Sequence, residues 1–402
     1  MRPAPGGLPA GGAPRPPEAA PYRRPGFWQR LRSGNPSEGQ LAWLLLLPAL
    51  LTLALVMLYP VATVLWQSLH LERLNQPQRG TPFVGLDNFV RMLWGRGDMA
   101  WSLERLWVWR ALLLAALLPL WYAVRRRALK PGLALFWTAL LLLVAGWLMG
   151  YHPAEGTRWG DPRFWNSFSI TLLLIAVTVS GAFLVGLPLA LLANVRHPLK
   201  WLVRLGLLLP WAMPRVFSGL AFAWLFQSDY GVVNDLLGRL GVNDLLRAVL
   251  PAQWIGERGV FWLARDVPAI VAVSVAIVWK TSSFVGLILL AGLQSIDESL
   301  YEAARIDGAN AWQRFWRVTL PLLRPAIMVA LIFRTLTAVQ TFDEPFAMTG
   351  GGPGRTLETL GIYIYKTVNG LDIGYAAALA VALFFVSTLI TVFYLRWIYT
   401  DD

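Results

Sequence analysis

Cysteine is absent from this sequence of 402 residues, and histidine occurs three times, as His70, His152 and His197. Disulfide frameworks and thiolate chemistry are therefore excluded, and the scattered histidines lack metal-ligand spacing. Charge is scarce: Asp, Glu, Lys and Arg make up 14% of the chain, against 56% hydrophobic residues. No glycine-rich phosphate loop is present, so this chain is not expected to bind ATP. Acid–base pairs are equally thin. The adjacent Asp343 and Glu344 are the nearest candidate, and neighbours in a helix do not face each other. No catalytic residue and no bound cofactor are expected.

What the chain has in abundance is apolar sequence. The mean hydropathy is +0.51, with 21 Trp, more than one soluble core can absorb. The reading is all-α, a polytopic integral membrane protein of about eight transmembrane helices. Apolar stretches lie near 41–66, 107–124, 132–150, 167–194, 201–227, 268–293, 325–348 and 374–396. The resulting organisation is a disordered cytosolic tail (1–40), a first span with an extracytoplasmic loop (41–98), an extra hairpin (99–160) and a core domain (161–402). The tail is rich in Pro, Gly, Ala and Arg and lacks the early apolar run of a signal peptide.

The net charge of +12 follows membrane topology rather than nucleic acid. Arg125, Arg126, Arg127, Lys130, Arg196, Lys200 and Arg204 crowd one set of span ends. The positive-inside bias puts those ends, both termini and the segment after residue 293 in the cytosol. The outer segments 67–106, 228–267 and 349–373 read as polar, Gly- and Pro-bearing loops suited to a soluble partner.

One polar stretch interrupts the apolar pattern, YEAARIDGANAWQRFWRVTLPLLRP from Tyr301 to Pro325. Glu302, Ala303 and Ala304 favour a helix, and Asp307-Gly308 stops it with a left-handed turn. Asn310 and Gln313 have capping-box spacing, which starts a second helix carrying Trp312, Phe315 and Trp316 on one side. Pro321 and Pro325 are expected to close that helix before the next span.

This stretch resembles the EAA loop of ABC-importer permeases: E-A-A, three residues, Gly, nine residues, an aliphatic residue, one more, then Leu-Pro. Glu302-Ala303-Ala304, Gly308, Val318 and Leu320-Pro321 match it, with Asp307 in place. Phe164–Ala193, LLLPWAMPR (Leu207–Arg215), LLAGLQSI (Leu289–Ile296), MTGGGPG (Met348–Gly354) and Gly374–Phe385 are similar to the maltose-type sugar permeases in order and spacing. The extra hairpin departs from the compact members of that family.

The resemblance implies a subunit that moves sugars by alternating access in the inner membrane and hydrolyses nothing itself. Its partners would be a second permease, two cytosolic ATPase subunits that bind the ATP, an extracytoplasmic binding protein and the bilayer. The coupling loop, 294–324, would seat in the ATPase through Glu302, Ala303, Ala304, Asp307, Gly308, Trp312, Phe315, Trp316, Leu320 and Pro321. The substrate wall would carry Trp211, Arg215, Lys280, Thr281, Phe284, Arg334 and Thr341.

Arg215, Lys280 and Arg334 each cost about 2.5–3.5 kcal/mol at mid-bilayer, which argues for a watery cavity. The competing reading has them bridge to neighbouring helices or cap exposed carbonyls. Maltose, trehalose or related α-glucosides lead as substrates. Glycerol phosphate or another small anion, and an integral membrane glycosyltransferase-like enzyme, are the alternatives.

Overall fold

In the computed structural model, the structure describes residues 38–93, 115, 117–126, 134, 137, 138, 141, 161–195, 198 and 200–399. The tail to residue 37 and most of the 99–160 hairpin lie outside the described residues; of its expected spans 107–124 and 132–150, only residues 115, 117–124, 134, 137, 138 and 141 are described. The chain divides into two compact units, 1–62 and 63–402.

The first unit is built on α1 (Glu38–Leu53), a π-helical turn (Ala54–Leu58) and the start of α2 (Tyr59–Ser68). Pro48 lies inside α1, and its carbonyl accepts from Thr52 Oγ1 at 2.9 Å. The π turn precedes Pro60, and Tyr59 N–H reaches back to the Ala54 carbonyl. The aliphatic side chains Leu45, Leu46, Leu51, Leu55 and Leu58 are exposed, as lipid-facing positions should be.

Among the described residues, the regular structure of the second unit is helical apart from one two-stranded ribbon and two isolated β-bridges. Its elements are α3 (Asp87–Leu93), α4 (Pro162–Asn194), α5 (Lys200–Ala212), α6 (Arg215–Leu225), α7 (Val232–Arg239), α8 (Val242–Val249), β1 (Ile255–Gly256) and β2 (Gly259–Val260). There follow α9 (Asp266–Gln294), α10 (Glu298–Ile306), α11 (Ala311–Arg314), a π turn (Phe315–Thr319), α12 (Leu320–Val339), α13 (Asp343–Thr349), α14 (Leu360–Asn369) and α15 (Ile373–Tyr399). The strands pair antiparallel, Ile255 with Val260 and Gly256 with Gly259.

Among the described residues, five helices are long and apolar enough to cross a bilayer, or six if the bent pair α5–α6 is one span. The expected span 201–227 is thus two helices at 100°. The expected span 325–348 is displaced: the helix runs from Ala311 to Val339, and α13 is separate.

Small residues set the packing, as they must where lipid is as apolar as the helix faces. A Cβ on Gly186 in α4 would sit 2.8 Å from the Ser282 carbonyl oxygen of α9, and one on Gly292 would meet Ala326 Cβ of α12 at 2.4 Å. Ala182, Ala190, Leu207, Leu289, Leu293, Leu323 and Ala330 fill the core between α4, α5, α9 and α12.

At the opposite end from the 294–324 loop, polar contacts bind the helix ends into one knot. Asp161 caps α4 through Arg163 N at 2.9 Å and accepts the Tyr363 hydroxyl and, at 2.6 Å, that of Tyr375. Arg163 grips Glu358 through Nε at 3.0 Å and Nη2 at 2.6 Å, with Lys366 Nζ 3.4 Å from the same carboxylate. Arg91 bonds Asp372 at 2.7 Å and lies 3.9 Å from the Tyr375 ring centroid. The Gly350–Thr359 segment is therefore tied down rather than a free loop. Glu358 is 0% exposed, and Thr356 Oγ1 donates to Asp266 at 2.8 Å.

Replacing Glu358 by Gln keeps its shape but strips the countercharge from Arg163 and Lys366. The expected loss is about 2–4 kcal/mol, read as a lower melting temperature of the purified complex. An unchanged melting temperature would show that the knot adds nothing.

Candidate functional site

The break between α5 and α6 follows from two prolines. Pro210 and Pro214 each remove a backbone donor, so the ladder across residues 212–214 cannot close. The Pro210 and Met213 carbonyls are taken up instead by Lys280 Nζ from α9, the first at 3.2 Å. Lys280 is only 6% exposed. Of the two roles open to this cation, its contacts show the carbonyl cap.

Around that junction the other expected wall residues gather unequally. Trp211 stacks on Phe284, centroids 6.3 Å apart at 15°, and Phe333 meets Phe284 edge-on at 6.5 Å and 79°. Trp211 and Phe333 are exposed, so the three rings form an accessible apolar platform. Phe333 was not an expected site residue, and nothing in the run Leu331-Ile332-Phe333 sets it apart.

Arg215 opens α6, with Nη1 3.8 Å from Asp343 Oδ2. Arg334 is 2% exposed; its Nη2 donates to Thr178 Oγ1 of α4 at 2.6 Å, and its Nε has no hydrogen-bond partner among the described residues. The buried Glu344 lies within electrostatic reach of Arg215, Lys280 and Arg334. Three cations thus share a neighbourhood with two carboxylates.

The threonines are less engaged. Thr281 Oγ1 donates to the Ile277 carbonyl within α9 at 2.7 Å. Thr341 is buried, and its carbonyl accepts from Thr359 Oγ1 at 2.8 Å, which fastens it to the start of α14.

The polar loop forms a capped elbow. Asp297 caps α10 by accepting from Ser299 N at 2.9 Å, and that backbone donor holds its carboxyl below the usual range. Gly308 has φ of +76°, and a Cβ there would meet nothing within 4 Å. Asn310 and Gln313 form the capping box at 2.8 and 2.9 Å. Trp312, Phe315 and Trp316 pack as a trio with centroids 5.4–6.2 Å apart. Trp312 nevertheless remains 68% exposed. Tyr301 Oη and Thr319 Oγ1 lie 3.1 Å apart and Arg314 Nη1 donates to the Ala309 carbonyl at 2.8 Å, which fixes the elbow angle. Glu302, Ala303 and Asp307 are exposed, Ala304 and Leu320 are half-buried, and Pro321 is exposed.

Pro321 and Pro325 do not close the second helix as expected. The rod from Ala311 to Val339 runs through both. The π turn, with Leu320 N–H bonded to the Phe315 carbonyl, shifts the ladder just ahead of Pro321 and absorbs the missing donor.

Substituting Lys280 by Met should leave two carbonyls at the break unpaired, each costing about 1–3 kcal/mol. A lower melting temperature of the purified complex without any substrate is the expected reading. A residue that served only substrate would leave that temperature unchanged.

Residues 182–399 match the family described as binding-protein-dependent transport system inner membrane component. The sulfoquinovosyl glycerol transport system permease protein SmoG of Agrobacterium fabrum is 51% identical over 243 residues, 60% of this chain and 74% of that protein. The trehalose/maltose transport system permease protein MalF of Thermococcus litoralis is 30% identical over 359 residues, 89% of this chain and 94% of that protein. A bacterial ABC transporter involved in the import of the acidic polysaccharide alginate has a chain that superimposes with a TM-score of 0.51. That likeness covers 73% of this chain and 98% of the other at 23% identity, and it speaks to fold alone. With the matched family covering more than half of the chain, this protein belongs to the binding-protein-dependent transport system inner membrane components and is a permease subunit of an ABC importer, not an enzyme.

Proposed function

We propose that this permease imports a glycoside bearing a negative charge. The observation that carries the reading is Arg334: a guanidinium 2% exposed, bonded to one threonine hydroxyl, with its Nε unpaired among the described residues. An ion buried without full partners costs several kcal/mol, and an anionic group entering the path would relieve it. The exposed Trp211–Phe284–Phe333 platform beside it suits the apolar face of a sugar ring. SmoG, named for a sulfonated glycoside, supports the same choice.

Neutral α-glucosides such as trehalose or maltose are the second reading, favoured by the aromatic platform and by MalF. Here Arg334 would remain a structural cation.

The importer acts with a second permease, two cytosolic ATPase subunits and an extracytoplasmic binding protein, and the Gly308 elbow faces the cytosol. The exposed Trp312 and Trp316, with the half-buried Phe315 behind them, seat in a groove of the ATPase, as amphipathic helices do in helix-in-groove contacts. Because Ala311–Val339 is one rod, a push on Trp312 reaches Arg334 roughly 33 Å away at 1.5 Å per residue. Nucleotide-driven closure is thereby delivered to the substrate path by the helix that carries the selecting cation.

Uptake by the complete complex in proteoliposomes, supplied with its binding protein, separates the two substrate readings. Replacing Arg334 by Gln should cut transport of a sulfonated or carboxylated glycoside about tenfold or more, the loss of one charge-assisted hydrogen bond, and spare a neutral one. Equal losses for both, or preference of the native complex for trehalose or maltose, would favour the neutral reading.

The elbow gives a separate test. Gly308 replaced by Val adds about 1–2 kcal/mol of left-handed strain and should lower transport per ATP hydrolysed. Asn, which tolerates that conformation, should stay near the native ratio. Equal behaviour of the two variants would remove the turn from the coupling path.

A further inference from the structure

The segment between α6 and α9, expected as a polar loop, contains two short amphipathic helices. In α7 and at its C-cap, Val232, Leu236 and Leu240 recur at four-residue spacing and are exposed, while Asn234 is buried and Asp235 and Arg239 pair at 2.9 Å on another arc. In α8, Leu245 and Val249 are exposed; Val249 retains 72% of its surface, and Asp244 pairs with Arg247 at 2.8 Å. The polar arcs line an open cavity of about 660 Å³ with Asp235, Arg239, Asn243, Asp244 and Arg247. None of the five exposed aliphatic residues lines it.

The level of this pair along the bundle is fixed by hydrogen bonds. Asn234 Nδ2 donates to the Val260 carbonyl at 3.0 Å, and its Oδ1 accepts from Val260 N at 3.2 Å and Trp262 Nε1 at 2.8 Å. The spanning helix α9 begins at Asp266, so Asn234 is pinned to residues four to six positions from a membrane-span end. At no more than about 3.6 Å per residue, Val260 lies within roughly 22 Å of the start of α9, which keeps α7 at the end of the bundle where that span begins. Its exposed aliphatic stripe, with paired charges on the other arc, has the pattern of a helix lying in a membrane interface. Trp254 and Trp262 in the same segment are of the type that concentrates at that depth.

We propose that α7 and α8 lie in the leaflet interface opposite the Gly308 elbow, with Val232, Leu236, Leu240, Leu245 and Val249 buried among the upper acyl chains of phospholipid. The paired polar arcs then face headgroups and water, and the cavity opens to the aqueous side. This placement rests on the chain being embedded in a bilayer, and it is independent of which solute is carried.

This chain has no cysteine, so with the cysteines of the partner subunits replaced by serine a single introduced thiol reports alone. Nitroxide labels on Leu240→Cys, Val249→Cys and, as polar references, Arg239→Cys and Asp244→Cys are read by power saturation. The sample is the complete transporter in phosphatidylethanolamine–phosphatidylglycerol liposomes, tested against oxygen and a water-soluble nickel chelate. The expected result is oxygen accessibility exceeding nickel accessibility at positions 240 and 249, and the reverse at 239 and 244. Nickel accessibility dominating at 240 and 249 would overturn the proposal by placing the stripe in water. Labels there that are immobilised and shielded from both reagents would also overturn it, assigning the stripe to a protein contact with the second permease or with residues 94–160.

Discussion

A backbone carbonyl at membrane depth must find a donor, and this requirement governs the centre of the protein. The α5–α6 break creates two orphan carbonyls, and Lys280 reaches across from α9 to satisfy them. That contact makes a sharp change of direction tolerable where water is scarce. It also sets what surrounds it: Trp211 lies before the break and stacks on Phe284, one helical turn along from Lys280, while Arg215 lies after it and turns to Asp343. Close approach of α4 and α9 through glycine holds the donor's own helix in place.

A second constraint is proline inside spans. Pro60 and Pro321 each follow a π turn by two residues, and in both turns an N–H reaches back five positions, Tyr59 to Ala54 and Leu320 to Phe315. The wider turn re-registers the ladder before the missing donor would leave it open. A helix can thus keep its course through a residue that ordinarily ends it, which is how the aromatic elbow and the buried arginine come to share one rod.

Local signals were legible in the sequence; distant ones were not. The Gly308 turn, the Asn310–Gln313 capping box and the apolar stretches of α4, α9 and α15 depend on neighbours within a few residues, and each is found in the structure. The π turn ahead of Pro321 escaped because Pro321 and Pro325 were read as terminators of the short aromatic helix. The Lys280 cap joins residues some 70 positions apart, and the Arg163–Glu358 pair joins residues 195 apart, so no local pattern announces either. The α7–α8 pair was legible and missed: its four-residue aliphatic spacing was present, but charged and glycine residues made the stretch read as a loop. Of the candidate wall, intramembrane cations were visible as costly residues, whereas Phe333 and Thr178 look like their neighbours until the helices are packed.

The knot of Asp161, Arg163, Glu358, Tyr363 and Tyr375 involves none of the residues along the candidate path. Lys280 is the exception on the path, since the break it caps fixes it in place. If the rings beside the proline break meet the solute, as proposed, a lineage can over evolutionary time retune what it accepts by exchanging Trp211 or Phe333, while the clasp at the end of the bundle keeps the scaffold intact.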